Sequence, residues 1–239
     1  MRLPSYASAA LLVLLTLTAC ANAPARPGAT AAGTGLTGDD LTWLRRDGFG
    51  LDSADVARYR KLGREGLLDA QLADRVPGSM PPQVVGLIHG FEATNTPLPK
   101  LLGDLYDAQQ QVKAMPAGPD KDAANKAWQQ HGNALMQQAR QAELLQAAYG
   151  PNQLKEQVVW FWLNHFSVYA PKGRIRWELA DYEQRVIRPH ALGRFRDLVM
   201  ATLESLAMLE YLDNAQNAKG HVNENYAREL MELHTLGVG

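Results

Sequence analysis

Cysteine is nearly absent: the 239 residues hold one, Cys20. That excludes an internal disulfide framework and any cysteine-rich zinc site. Net charge is almost absent too, at −1 from 24 Lys/Arg and 25 Asp/Glu. No chain-wide field therefore draws the protein toward nucleic acid or an anionic membrane. No apolar run is long enough to cross a bilayer. Sustained period-two alternation is missing, which argues against a sheet, and there is no internal repeat. HExxH, GxSxG, GxxxxGK[ST] and the EF-hand calcium loop are missing as well. No glutamate has a histidine three residues on, so a di-iron carboxylate bundle lacks its ligand pattern. No cofactor is indicated, and no metal ligand set is named.

What is present starts with an amino-terminal signal. Arg2 precedes an apolar run from Ala7 to Leu17, and small residues follow at Thr18-Ala19-Cys20. A short positive end, a brief apolar stretch and small residues at the cut describe a secretory signal peptide over residues 1–19. Leu17-Thr18-Ala19-Cys20 resembles the bacterial lipobox, in which the cysteine becomes the acylated first residue of the mature protein. The expected partner is thus a membrane, through lipidated Cys20, several acyl chains giving the stable anchor that one cannot. Ala21, where Asp often marks inner-membrane retention, points to the outer membrane facing the periplasm. Nucleic acid is not an expected partner for such an exported protein.

Residues 21–38 are mostly Ala, Pro, Gly and Thr, the composition of a tether, with a span of roughly 25 Å by flexible-chain scaling. Gly33-Thr34-Gly35-Leu36-Thr37-Gly38 matches GxGxxG only formally, since no strand precedes it. From Asp39 the chain reads as a helical domain of 46% hydrophobic overall composition, enough for a proper core.

Helices are expected from Leu41 to about Asp47, from Ala54 to Leu62 with Asp52 or Ser53 as cap and Gly63 at the C′ position, and from Arg64 to Ala73. Further helices are expected over 83–91, 99–114 and 120–149. The last has a buried line of Trp128, Leu135, Ala139, Ala142 and Tyr149, and exposed glutamines at 129, 130, 137, 138 and 141. Val158-Val159-Trp160-Phe161-Trp162-Leu163 is apolar nearly all round, which predicts a central helix over 153–169 buried on most faces. Helices over 177–188, broken at Pro189, and over 194–212 complete the all-α reading, an irregular helical bundle.

The last thirty residues concentrate the chemistry. On a regular helix Glu224, Asn225, Arg228, Glu229, Glu232 and Thr235 fall in one arc of roughly 140°. Glu229 and Glu232, three apart, could bind a cation or act as acid and base with His165. Alternatively Arg228 simply pairs with Glu224 and Glu232 at i±4, worth ~0.2–0.5 kcal/mol each. His234 projects from the apolar side, where a histidine is usually packed and satisfied. On the central helix Asn164 and His165 need hydrogen-bond partners, for which Asp213, Asn214, Asn217, Lys219 and Asn223 are the nearest candidates by type. Residues 172–196 hold seven Lys/Arg (172, 174, 176, 185, 188, 194, 196), a stretch able to meet phosphates or an anionic glycan, or simply a solvated face.

The segments Leu44-Arg45-Arg46-Asp47-Gly48-Phe49-Gly50, Phe161-Trp162-Leu163-Asn164-His165-Phe166, Arg188-Pro189-His190-Ala191-Leu192-Gly193, Tyr211-Leu212-Asp213-Asn214 and Lys219 to Gly237 resemble, in order, the bacterial domain of unknown function 1800 family, over residues 39–239. Val222 and His234 depart from it, where proline and often phenylalanine are expected. The resemblance implies an exported, largely helical protein, often encoded beside a second exported protein, and brings no established reaction. Members run longer, so this chain corresponds to the N-terminal part of the family domain. The resemblance draws attention to Asn164, His165, Asp213, Asn214, Asn223, Glu224, Asn225, Arg228 and Glu229 as a polar cluster. Two functions follow as expectations: a lipid-anchored accessory protein that binds another exported protein or an envelope glycan, or a hydrolase, with or without metal assistance, using Glu229, Glu232 and His165.

Overall fold

The computed structural model describes residues 35–237. The expected signal peptide, Cys20 and most of the expected tether lie outside the described residues. Asp39–Gly239 forms one compact unit and Met1–Gly38 is assigned to another.

Helix α1 (Gly38–Asp47) stops at Gly48, where a Cβ would lie 2.8 Å from Gln153 Cβ. Helix α2 (Ser53–Leu72) opens on a capping box, Asp52 accepting from Asp55 N while Asp55 accepts from Asp52 N. It is broken at Gly63, whose φ of 70° lies in the left-handed region that glycine takes without penalty, as the sequence expected. After the proline-rich loop come α3 (Pro82–Gly90), α4 (Glu92–Asn95) and α5 (Leu98–Ala114). Pro99 sits in the first turn of α5, where no intrahelical donor is needed.

Helix α6 (Pro119–Tyr149) buries Leu135, Ala139 and Ala142 as predicted. Trp128 is only half-buried and Tyr149 is exposed, so the predicted line fails at both ends. Helix α7 (Gln153–His165) is capped by Asn152, which accepts from Lys155 N and donates to Gln71 O and Asp74 Oδ1. It ends four residues before the expected Tyr169. Nor is it buried on most faces: Trp160 and Phe161 are each 55% exposed.

Helix α8 (Ile175–Asp181) packs on α4, α5 and α6, widens into a π-turn (Tyr182–Ile187) and closes as a 3₁₀ turn (Arg188–His190) around Pro189. The single helix expected over 194–212 is two, α9 (Phe195–Glu204) and α10 (Leu206–Tyr211). Ser205 separates them, its hydroxyl accepting from Met208 N as the cap of α10. The last helix, α11 (Asn225–Glu229), passes into a second π-turn (Leu230–Thr235). Among the described residues there is no strand, only an isolated bridge between Ala218 and His221, so the all-α reading holds.

The largest core gathers Val159 and Phe166, Tyr182, Ile187 and Ala191, Leu198, Ala207, Met208 and Leu212. Tyr182 Oη donates to Phe166 O at 2.6 Å within it. Among the described residues no helix is long and apolar enough to cross a membrane.

Candidate functional site

The amide-rich loop is held mainly by itself. Asp213 adopts φ 60° and accepts from Lys172 Nζ at 2.7 Å, while the same ammonium donates to Tyr211 O. Asn217 Oδ1 accepts from Asn223 N at 2.6 Å, Asn217 Nδ2 donates to Asn214 Oδ1, and Asn223 Oδ1 accepts from Asn225 N. Lys219 and Glu224 are exposed. None of these groups reaches Asn164 or His165. Asn164 donates Nδ2 to Trp160 O of its own helix, and His165 turns to the terminal segment instead.

There two histidines clasp each other's backbone. His165 Nε2 lies 3.0 Å from His234 O, and His234 Nδ1 lies 2.9 Å from His165 O. A carbonyl only accepts, so each of these nitrogens carries a proton. His234 is buried against Phe166, the packing role expected of it. Burial pushes its pKa down, and a charge on His165 would push it the same way. The His165 carbonyl and the Glu229 carboxylate oppose them without reversing the shift.

Glu229 thus lies in the electrostatic reach of this pair. Arg228 donates to Asn225 Oδ1 and to Glu229 Oε1 at 3.2 Å, rather than bridging Glu224 and Glu232. The π-turn accounts for the missing contact to Glu232, because its wider spacing carries residues 230–235 off the 100° pattern behind the predicted arc, whereas Glu224 lies ahead of it and is exposed. Among the described residues no three His, Cys, Asp or Glu side chains come together as a cation site.

The basic stretch over 172–196 is mostly engaged inside the molecule. Lys172 meets Asp213, Arg174 meets Glu210, Arg185 meets Asp181, and Arg176 lies over Trp128 and Trp177. Arg188 is the deepest, and sequence reasoning missed its setting. Its guanidinium grips both oxygens of Glu156, at 2.7 and 2.9 Å, and also Glu183 at 2.8 Å. Gln184 and Gln146 pair reciprocally alongside. Burial raises Glu183 to about 7 despite Arg188, with Glu143 and Glu156 adding to the shift. Arg188 itself is pushed up, its glutamate partners outweighing burial. The available signal was Glu156, a lone acid on a helix otherwise rich in apolar side chains.

Glu143 carries this buried charge cluster to the surface. Burial raises its pKa, opposed by Arg188 and Arg140. It lines a cavity of about 390 Å³ with Phe49, Arg140, Leu144, Ala147, Ala148 and Trp160. It also lines a smaller one of about 160 Å³ with Trp160, Leu163, Asn164, Val168, Leu179 and Tyr182. Among the described residues, Asn164 is the only predicted site residue in either. Gln153 helps position the mouth. Its Oε1 accepts from Phe49 N at 3.3 Å, and its Nε2 donates to Ala147 O and Gly150 O. Phe49 therefore stands edge-on to Trp160, ring centres 6.2 Å apart at 86°.

These features define an all-α domain with a charged interior and an aromatic surface groove. Residues 42–239 match the model of the family described as Protein of unknown function (DUF1800), and the chain belongs to that family. No curated protein and no solved structure matches it.

Proposed function

We propose that the protein is a lipid-anchored binding protein of the bacterial cell envelope, acting as an accessory to another exported protein or to an envelope glycan. The observation that carries the binding reading is the open cavity beside α7, where Trp160 stands with Phe49 and Leu144, all 47% exposed or more. Large aromatic side chains grouped around a groove are characteristic of a recognition surface. The anchoring reading rests on Cys20 in Leu17-Thr18-Ala19-Cys20, with Ala21 favouring the outer membrane. The hydrolase reading on Glu229, Glu232 and His165 draws less support. His165 gives a ring nitrogen to His234 O, and Glu229 is paired with Arg228.

Metabolic labelling with radioactive palmitate tests the anchor: wild type takes up label and sediments with outer membranes, and Cys20→Ser does neither. Equal labelling of the two would end that half. For binding, Trp160→Ala is expected to abolish co-purification of an envelope component that wild type retains. Unchanged retention would end the other half.

A further inference from the structure

We infer that the paired cavities flanking Glu143 form a saccharide-binding site, an inference that rests on the binding reading above and names its ligand class. The two hollows share Glu143 and Trp160, so they lie side by side along one extended groove. The larger, at about 390 Å³, falls in the range of about 300–1,000 Å³ typical of small-molecule sites.

Two kinds of surface meet there. Phe49 and Trp160 are nearly perpendicular and make an apolar corner, against which the C–H face of a pyranose ring can pack. Around that corner stand a carboxyl, a guanidinium and an amide. Glu143 has no hydrogen-bond partner among the described residues. Arg140 supplies donors beside it. Asn164 lines the smaller hollow and spends its Nδ2 on Trp160 O, which leaves its Oδ1 as an acceptor without a partner among the described residues.

The polar groups select the occupant. An acyl chain or a wholly apolar helix would cover Glu143 and leave its carboxyl buried without a partner, which is costly. A strongly basic peptide would meet Arg140 at the rim and Arg188 behind Glu143. A saccharide brings hydroxyls that donate to Glu143 and Asn164 and accept from Arg140, together with an apolar ring face for Trp160. It satisfies all of them at once.

The test is calorimetric titration of the full lipidated chain in detergent with β-1,4-linked tetramers of N-acetylglucosamine and of glucose, plus co-sedimentation with purified cell-wall sacculi. At least one probe is expected to bind saturably. Trp160→Ala should weaken it about tenfold or more, as for a central aromatic anchor. Trp160→Phe should recover most of that loss, and Glu143→Gln should weaken binding several-fold. Tyr106→Ala, which removes an exposed aromatic outside the groove, should change nothing. Absence of binding to every probe overturns the inference, as does equal binding by a Trp160→Ala variant of unchanged circular dichroism. If no probe binds but an exported protein co-purifies with wild type and is lost with Trp160→Ala, the saccharide inference fails while the binding reading stands. If Trp160→Ala alters neither, both fail.

Discussion

At Gly132 the packing leaves no room for a methyl group. A Cβ there would lie 2.6 Å from Trp177 Nε1 and 2.9 Å from Arg176 Nε. The neighbours cannot easily give way, because Trp177 is wedged edge-on against Trp128 and Arg176 lies over both rings. Gly132→Ala is therefore expected to destabilise by ~1–3 kcal/mol, seen as a lower urea midpoint at unchanged slope. Arg188 is the opposite case, a side chain whose removal leaves too much behind. Arg188→Met strands Glu156 and Glu183 without their cation, and a loss of ~3–5 kcal/mol is expected in the same measurement. Neither role was legible in the sequence. Gly132 sits inside a helical run with no turn signal, and Arg188 reads as one more member of a basic stretch, since sequence records charge without depth.

At the scale of elements, the breaks that proline and glycine announce were readable and the others were not. Gly63 divides α2 as expected, whereas Ser205 divides α9 from α10 within an unbroken hydrophobic period. Ser205→Ala removes the acceptor for Met208 N and should cost about 1 kcal/mol by thermal unfolding. The terminal π-turn was invisible for a related reason. Each residue there suits a helix, and only the packing of His234 against Phe166 and His165 distinguishes the wider winding. His234→Phe tests that packing. It should cost about 1 kcal/mol at pH 8 for the lost bond to His165 O. It should also remove an acid sensitivity. The folded-state pKa of His234 lies below 6.5, so its contribution is present above that pH and is lost as pH falls and the unfolded chain takes up the proton first. The variant's melting temperature should fall less than wild type's between pH 8 and pH 5.

At the scale of the whole molecule, two buried acids run the other way. Burial raises Glu178, as well as Glu183, to about 7, and Glu178 Oε2 has no hydrogen-bond partner among the described residues. A carboxyl with a raised folded pKa contributes stability below its unfolded value of 4.5 and loses it as pH rises through 7. Glu178→Gln keeps the neutral shape without the proton to lose. Its melting temperature should exceed wild type's by about 4 °C or more at pH 8, and the two should converge as pH falls below 4.5. A shift of the same size at pH 8 and pH 4 would mean that folding leaves the Glu178 pKa unchanged.

Composition, helical periodicity and the placing of glycine and proline were enough to determine an all-α domain from Asp39 onward and most helix limits, because those signals act within a few residues of one another. The resemblance of the last thirty residues pointed correctly to the family. Depth and meeting were decided only by the tertiary structure. It turned Trp160 and Phe161 outward from a helix apolar on nearly every side, and it drew Arg188 onto Glu156 across 32 positions. It placed Glu143 rather than the amide-rich loop beside the groove. Such pairings depend on which faces of distant helices are left for one another once the core has closed, and no local pattern carries that information.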